Sequence, residues 1–308
     1  MTAGEFMPAY ARIGAHEIAE RVAALREIMR SCRLCPRNCA VDRLAGGLGV
    51  CRVGTEAVVS SYGPHFGEEA PLVGRRGSGT IFLTFCNLKC IFCQNYDISH
   101  LGQGRPASPQ RLAQMMLELQ RIGCHNINWV TPTHQSPMLV EATRIALADG
   151  LRVPIVYNCG GYESVEALRL LDGIVDIYMP DAKYGDNDAG RRLSDVPDYW
   201  DRCREALAEM HRQVGDLVTD ENGTACRGLL VRHLVLPEGL AGTKVVMQYL
   251  GSLSRNTYVN VMAQYHPQHR AREVPEIARP ITMTEFRSAV QTALDAGLHR
   301  LDERRRLR

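Results

Sequence analysis

Apolar positions fall in two rhythms along this chain. From Gly79 onward, short apolar runs of strand length alternate with stretches of helical period. The strand candidates cover residues 80–85, 126–131, 153–158, 175–180, 229–236 and 257–265. Between them, Ser108-Pro109 and Ser136-Pro137 each read as a helix start, a capping residue followed by a proline that needs no N–H in the first turn. Ser164 opens another helix. An amphipathic run over Tyr199–Val214 lies within the longest insertion, residues 186–226, and a last helix covers 284–296 before Gly297. Upstream, Ile18, Val22, Leu25 and Ile28 form one helical stripe.

Six β–α repeats with mostly apolar strands imply a parallel sheet covered by helices. Right-handed crossovers curl such a sheet toward a barrel, and six strands fall short of the eight that close one. The pattern therefore predicts an α/β fold, an open partial (β/α)6 barrel over residues 76–308 that ends in a C-terminal helix. Residues 1–75 form an N-terminal extension, a helix and a Cys-rich loop. In parallel barrels, chemistry gathers at the C-terminal ends of the strands.

The length of 308 residues allows one such unit or two smaller domains. Hydrophobic residues at 45% and charged residues at 23% are ordinary for an ordered chain. A net charge of +2 argues against nucleic-acid binding driven by bulk charge. No apolar stretch approaches the ~20 residues that span a bilayer, and no secretory signal pattern opens the chain. The expectation is a cytoplasmic protein with no membrane and no nucleic-acid partner. The tail Arg304 to Arg308 reads as a solvated terminus.

Cysteine changes this average picture. There are 11, seven of them between Cys32 and Cys93. In a reducing compartment such clustering signals metal or redox chemistry rather than disulfides. Cys86, Cys90 and Cys93 follow the first strand candidate as C-x3-C-x2-C, with Phe92 before the last. Three thiolates on one loop can ligate three irons of a cubane and leave the fourth open. A zinc site completed by His100, or three inert thiols, are the alternatives. Cys32, Cys35, Cys39 and Cys51 form a second group, with the donor count of a structural zinc site or a second iron–sulfur cluster. Of the other thiols, Cys159 sits at a strand end, while Cys124, Cys203 and Cys226 read as small core residues.

Polar residues follow each strand candidate. They are Thr131, Thr133 and His134; Asn158 with Gly160-Gly161; Asp181 and Lys183; Arg232 and His233, on opposite faces; and Gln264 and His266. Singly, each has an ordinary structural reading. Together they mark one mouth.

The C-x3-C-x-aromatic-C motif resembles that of the radical S-adenosylmethionine (radical SAM) enzymes. Ser61-Tyr-Gly-Pro-His65-Phe-Gly-Glu-Glu69, Cys93-Gln94-Asn95, Thr131-Pro-Thr-His134, Asp181-Ala-Lys183-Tyr184 and Met210-His211 are similar to proteins related to pyruvate formate-lyase activating enzyme (the PflX-type subgroup). This resemblance implies a 4Fe-4S cluster on Cys86, Cys90 and Cys93, with S-adenosylmethionine on its open iron. One electron, from a flavodoxin- or ferredoxin-type donor, then yields a 5′-deoxyadenosyl radical that abstracts hydrogen. The resemblance also implies that Asp181, Lys183 and His266 help hold S-adenosylmethionine and that Phe92 lies against its adenine. Gln94, Asn95, Asn158 and Arg232 join the cofactor-binding set. The family's Gly-Gly-Glu segment is replaced here by Thr131-Pro-Thr-His134, so Thr131, Thr133 or His134 would meet the amino group.

Two other functions are weighed against a radical enzyme. A zinc-bearing nucleic-acid module conflicts with the near-neutral charge. A thiol redox sensor leaves the strand-end pattern unexplained. Within the radical class, the substrate is a glycyl-radical enzyme, a peptide or a small molecule. The 186–226 insertion is a candidate cover for the mouth.

Overall fold

The computed structural model describes residues 6–302. The arginine-rich tail from Arg304 lies outside the described residues.

Helix α1 (Ala9–Arg30) carries the expected stripe and buries it together with Tyr10 and Met29. After the Cys-rich loop come β1 (Ala57–His65), the short α2 (Ala70–Val73) and β2 (Ser78–Leu83). Then follow α3 (Tyr96–Ser99), β3 (Arg105–Ala107), α4 (Pro109–Ile122), β4 (Ile127–Val130) and α5 (Ser136–Ala148). The second half holds β5 (Ile155–Cys159), α6 (Val165–Arg169), β6 (Ile177–Pro180), α7 (Asn187–Ser194) and α8 (Tyr199–Val214). It closes with β7 (Val218–Thr219), β8 (Ala225–Leu234), α9 (Thr243–Leu253), β9 (Tyr258–Met262) and α10 (Met283–Asp295).

Strands β2, β4, β5, β6, β8 and β9 pair in parallel, in that order. This is the open six-stranded partial barrel that the alternating pattern predicts. The helix starts match their chemistry. Ser108 Oγ accepts from the Arg111 N–H and Ser164 Oγ from the Ala167 N–H, so each caps its helix. Ser136 is itself helical rather than a cap.

Strand β1 was not expected. It runs antiparallel to β2 and carries β3 on its other side. It carries Gly63 and Pro64, both disfavoured inside a strand. However, β3 covers only Ala57 to Val59, so Pro64 lies where nothing requires its missing N–H. The 186–226 insertion is no detached lid. Its helix α8 lies in the crossover between β6 and β8, and α7 sits against the three-cysteine loop. At the far side of the sheet, Val259 of β9 bonds to Arg300 and Asp302 through their backbones. The main core runs from Tyr10 to Leu298, and a smaller cluster gathers Val156, Ile177, Met179 and Leu230.

Candidate functional site

The three-cysteine loop leaves the end of β2 under strain. Phe85, the residue before Cys86, has φ 61°, a left-handed conformation unusual for an aromatic. Each thiol has a nearby partner. The Leu88 N–H donates to Cys86 Sγ at 3.3 Å, and Ser194 Oγ and Ser99 Oγ lie 2.9 and 3.0 Å from Cys90 and Cys93. Burial pushes the Cys86 thiol up to about 12, with Cys90 and Cys93 as further causes, so the three sulfurs share one electrostatic space. The loop is held from outside by α7. The Lys89 and Ile91 N–H groups donate to the carbonyls of Ser194 and Leu193. Ser194, not marked by any sequence pattern, therefore supports the loop through both backbone and side chain. Three soft donors, met by N–H and O–H groups, suit an iron–sulfur cluster. The sulfurs of Cys86, Cys90 and Cys93 are not gathered around a single-ion position.

The strand ends beside this loop form one charged network. Arg232 donates to Asp181 at 2.7 Å and to Asn158 at 2.6 Å, and Lys183 Nζ donates to Asp181 at 2.6 Å. Burial alone would raise the Asp181 carboxyl. Arg232 and Lys183 override it and hold the pKa below its ordinary value. Glu68 lies 3.7 Å from Arg232, and the adjacent, buried Glu69 accepts from Asn260 at 2.6 Å. The sequence reading included the segment carrying these carboxylates but assigned them no role. Gly160 and Gly161 make the turn beside the network. A Cβ on Gly160 would press on Leu88 of the cysteine loop, and one on Gly161, at φ +77°, would strike the Asp181 carbonyl. Tyr199 of α8 locks the turn by donating to the Gly160 and Asp181 carbonyls at 2.9 and 2.8 Å.

Several residues expected at the cofactor have partners within the protein. Phe92 is buried, edge-on to Tyr184 and Tyr265. Thr133 donates to Glu163 at 2.8 Å, and Tyr157 donates to the same carboxyl at 3.0 Å. Burial pushes Glu163 up to about 7. His134 is buried with Nε2 3.0 Å from the Thr84 carbonyl, and burial pushes it down to about 3. Its ring lines the pocket of the four N-terminal cysteines. Thr131 remains at a strand end, with φ 61° and its N–H on the Asn158 carbonyl. Gln94 donates to the Gln264 carbonyl at 3.0 Å, while Asn95 and His266 are exposed.

Arg232 and His233 do face opposite ways. His233 is fully buried toward α9, with Nδ1 2.7 Å from the Ala182 carbonyl and Nε2 2.9 Å from Thr243 Oγ1. Burial pushes its pKa down to about 4, partly offset by that carbonyl. Between pH 6.5 and 4 the unfolded chain then binds a proton that the folded chain does not. The contribution is complete above pH 6.5 and is lost as pH falls to 4, on the order of 3 kcal/mol. His233→Asn is expected to flatten the acid limb of a urea-stability profile relative to the native chain. Parallel limbs would contradict it.

Cys32, Cys35, Cys39 and Cys51 line one pocket with Asn87, which lies between Cys86 and Cys90. Arg37 of this knuckle donates to the Asn87 carbonyl, and Asn87 Nδ2 donates to the Tyr162 carbonyl at 2.7 Å. The knuckle is thus seated directly on the three-cysteine loop. Cys124, Cys159 and Cys203 are buried, and Cys226 is half-buried.

A family model of the radical SAM superfamily matches residues 80–221. The uncharacterized protein MJ0674 of Methanocaldococcus jannaschii is 34% identical over 283 residues, 89% of this chain and 77% of the relative. Among solved structures, the methyltransferase TsrM from Kitasatospora setae superposes with a TM-score of 0.51 at 12% identity, over 74% of this chain and 54% of that one. Methylornithine synthase (PylB) gives 0.47 at 15% identity, over 70% and 62%. The chain spans less than two thirds of either structure, and at 12% identity the likeness to TsrM is one of fold. No helix among the described residues is long and apolar enough to cross a membrane. The matched segment takes in the three-cysteine loop, the Gly160-Gly161 turn and the Asp181–Lys183 pair, and it is a radical SAM superfamily domain.

Proposed function

We propose that this protein is a hydrogen-abstracting radical enzyme of the activating-enzyme type, acting on a glycyl-radical enzyme or a peptide. The radical SAM domain implies a 4Fe-4S cluster and S-adenosylmethionine as cofactors. The supporting observation is the placement of Cys86, Cys90 and Cys93 at the end of the first parallel strand, beside the Asn158–Arg232–Asp181–Lys183 network.

In this reading the three cysteines hold the cluster. Bound there, the cluster would supply one electron for the cleavage of the S–C5′ bond of S-adenosylmethionine, giving methionine and a 5′-deoxyadenosyl radical. Lys183, kept charged and oriented by Asp181, offers an ammonium to the carboxylate of S-adenosylmethionine. Arg232 holds Asn158 and Asp181 in fixed orientation across three strands. A ferredoxin- or flavodoxin-type protein supplies the electron. Cys32, Cys35, Cys39 and Cys51 hold a second metal centre, zinc or iron–sulfur.

Anaerobically loaded protein, given S-adenosylmethionine and a strong reductant, is expected to release 5′-deoxyadenosine. Metal analysis of the same sample is expected to give about eight irons, or about four irons and one zinc. A fully loaded protein that releases no 5′-deoxyadenosine overturns the radical reading.

A further inference from the structure

The four-cysteine pocket contains an uncompensated charge. Arg43 is 1% exposed, among the most deeply buried large side chains of the chain. A guanidinium does not lose its proton at any ordinary pH, so Arg43 is a buried full cation. Its hydrogen bonds go to the Gly54 carbonyl at 2.7 Å and to Cys32 Sγ at 3.9 Å, and its Nε has no partner among the described residues. No carboxylate is among these partners. Burying a cation without a counter-charge is strongly unfavourable. The second guanidinium lining the pocket, Arg37, is already engaged with Asp195 at 3.5 Å. His134 Nδ1, from a different element, is also buried and without a partner at the same pocket. Two orphaned polar groups and four thiols thus surround one space.

We propose that Arg43 is the resident counter-charge of a dianionic metal–tetrathiolate centre in this pocket. The inference rests on the second metal centre proposed above and specifies the charge of what fills it. Four thiols, or two disulfides, are neutral and leave Arg43 uncompensated. Four thiolates around a zinc dication carry a net charge of −2. Four thiolates on a 4Fe-4S core of charge +2 carry the same. Either occupant supplies what the guanidinium lacks, and loading it releases four protons from the thiols.

The test compares the loaded full-length protein with its Arg43→Leu and Arg43→Lys variants, counting zinc and iron separately. Iron on the Cys86–Cys93 loop is common to all three and cancels. Challenged with a chelator, Arg43→Leu is expected to release the knuckle metal at least about tenfold faster, or roughly 1.4 kcal/mol. Arg43→Lys keeps the charge and is expected to stay close to the native chain. After stripping, the sign reverses. Metal-free Arg43→Leu is expected to melt above the metal-free native chain, because an unpaired buried cation has been removed. If the metal is iron, the midpoint potential of that cluster is also expected to fall in Arg43→Leu, since lost positive charge favours the oxidised form. Equal release rates, or a melting point lowered alike with and without metal, would show that Arg43 only packs and would overturn the proposal. Loss of the second centre itself is a distinct result. A native chain whose metal content is unchanged by Cys35→Ser and Cys39→Ser holds no metal there, and the inference falls with it.

Discussion

Cys90→Ala is expected to lower release of 5′-deoxyadenosine at least about a thousandfold, roughly 4 kcal/mol of transition-state stabilisation, and to remove about four irons per chain. The three thiols lie within eight residues, so no other sulfur on that loop can replace the missing ligand. The Ser194→Ala variant is the control. Its hydroxyl lies 2.9 Å from Cys90 Sγ and 2.7 Å from the Tyr184 hydroxyl. Removing it costs about 1 kcal/mol, or about fivefold, and should leave the iron count intact. Equal defects in the two variants would mean that Cys90 acts by packing rather than by ligation.

The second large effect concerns stability. Asp181→Ala is expected to destabilise the folded chain by about 3–5 kcal/mol in anaerobic urea unfolding. Asp181 is the shared acceptor of Lys183 and Arg232, and neither cation is more than 18% exposed. Its removal leaves two positive charges facing one another with the attraction gone. The added change Lys183→Met removes one of them and is expected to restore part of the loss. A cost below about 1 kcal/mol would mean that water screens the pair as it screens surface ion pairs. The same variant should weaken S-adenosylmethionine binding, since Lys183 loses the group that orients it.

The barrel was legible because each of its six strands repeats the same apolar run followed by a polar end. The cysteine spacing and the Asp181–Lys183 pair were legible for a related reason, since residues that act together there lie within one loop. The supports were not. Ser194, Tyr199, Glu68, Glu69 and Glu163 come from distant segments, and only the folded sheet brings them to the strand ends. Strand β1 was not legible because Gly63 and Pro64 are disfavoured inside a strand, although a partly uncovered strand tolerates both. The partners of Thr133 and His134 were not legible from their position after β4. The chain turns there into the helical Thr133–Gln135 segment, which directs them toward Glu163 and the knuckle.

The backbone bonds between Val259 and residues 300–302 have a consequence for the behaviour of the chain in concentrated solution. An open sheet has two rims, and an unpaired rim is a template on which a second chain can add a strand. Here one rim ends in β3, three residues long and interrupted by Pro106. The other is β9, where the segment around Leu301 occupies the hydrogen-bonding positions of Val259. The sheet can therefore stay open as a barrel, as access to its mouth requires, without inviting edge-to-edge aggregation.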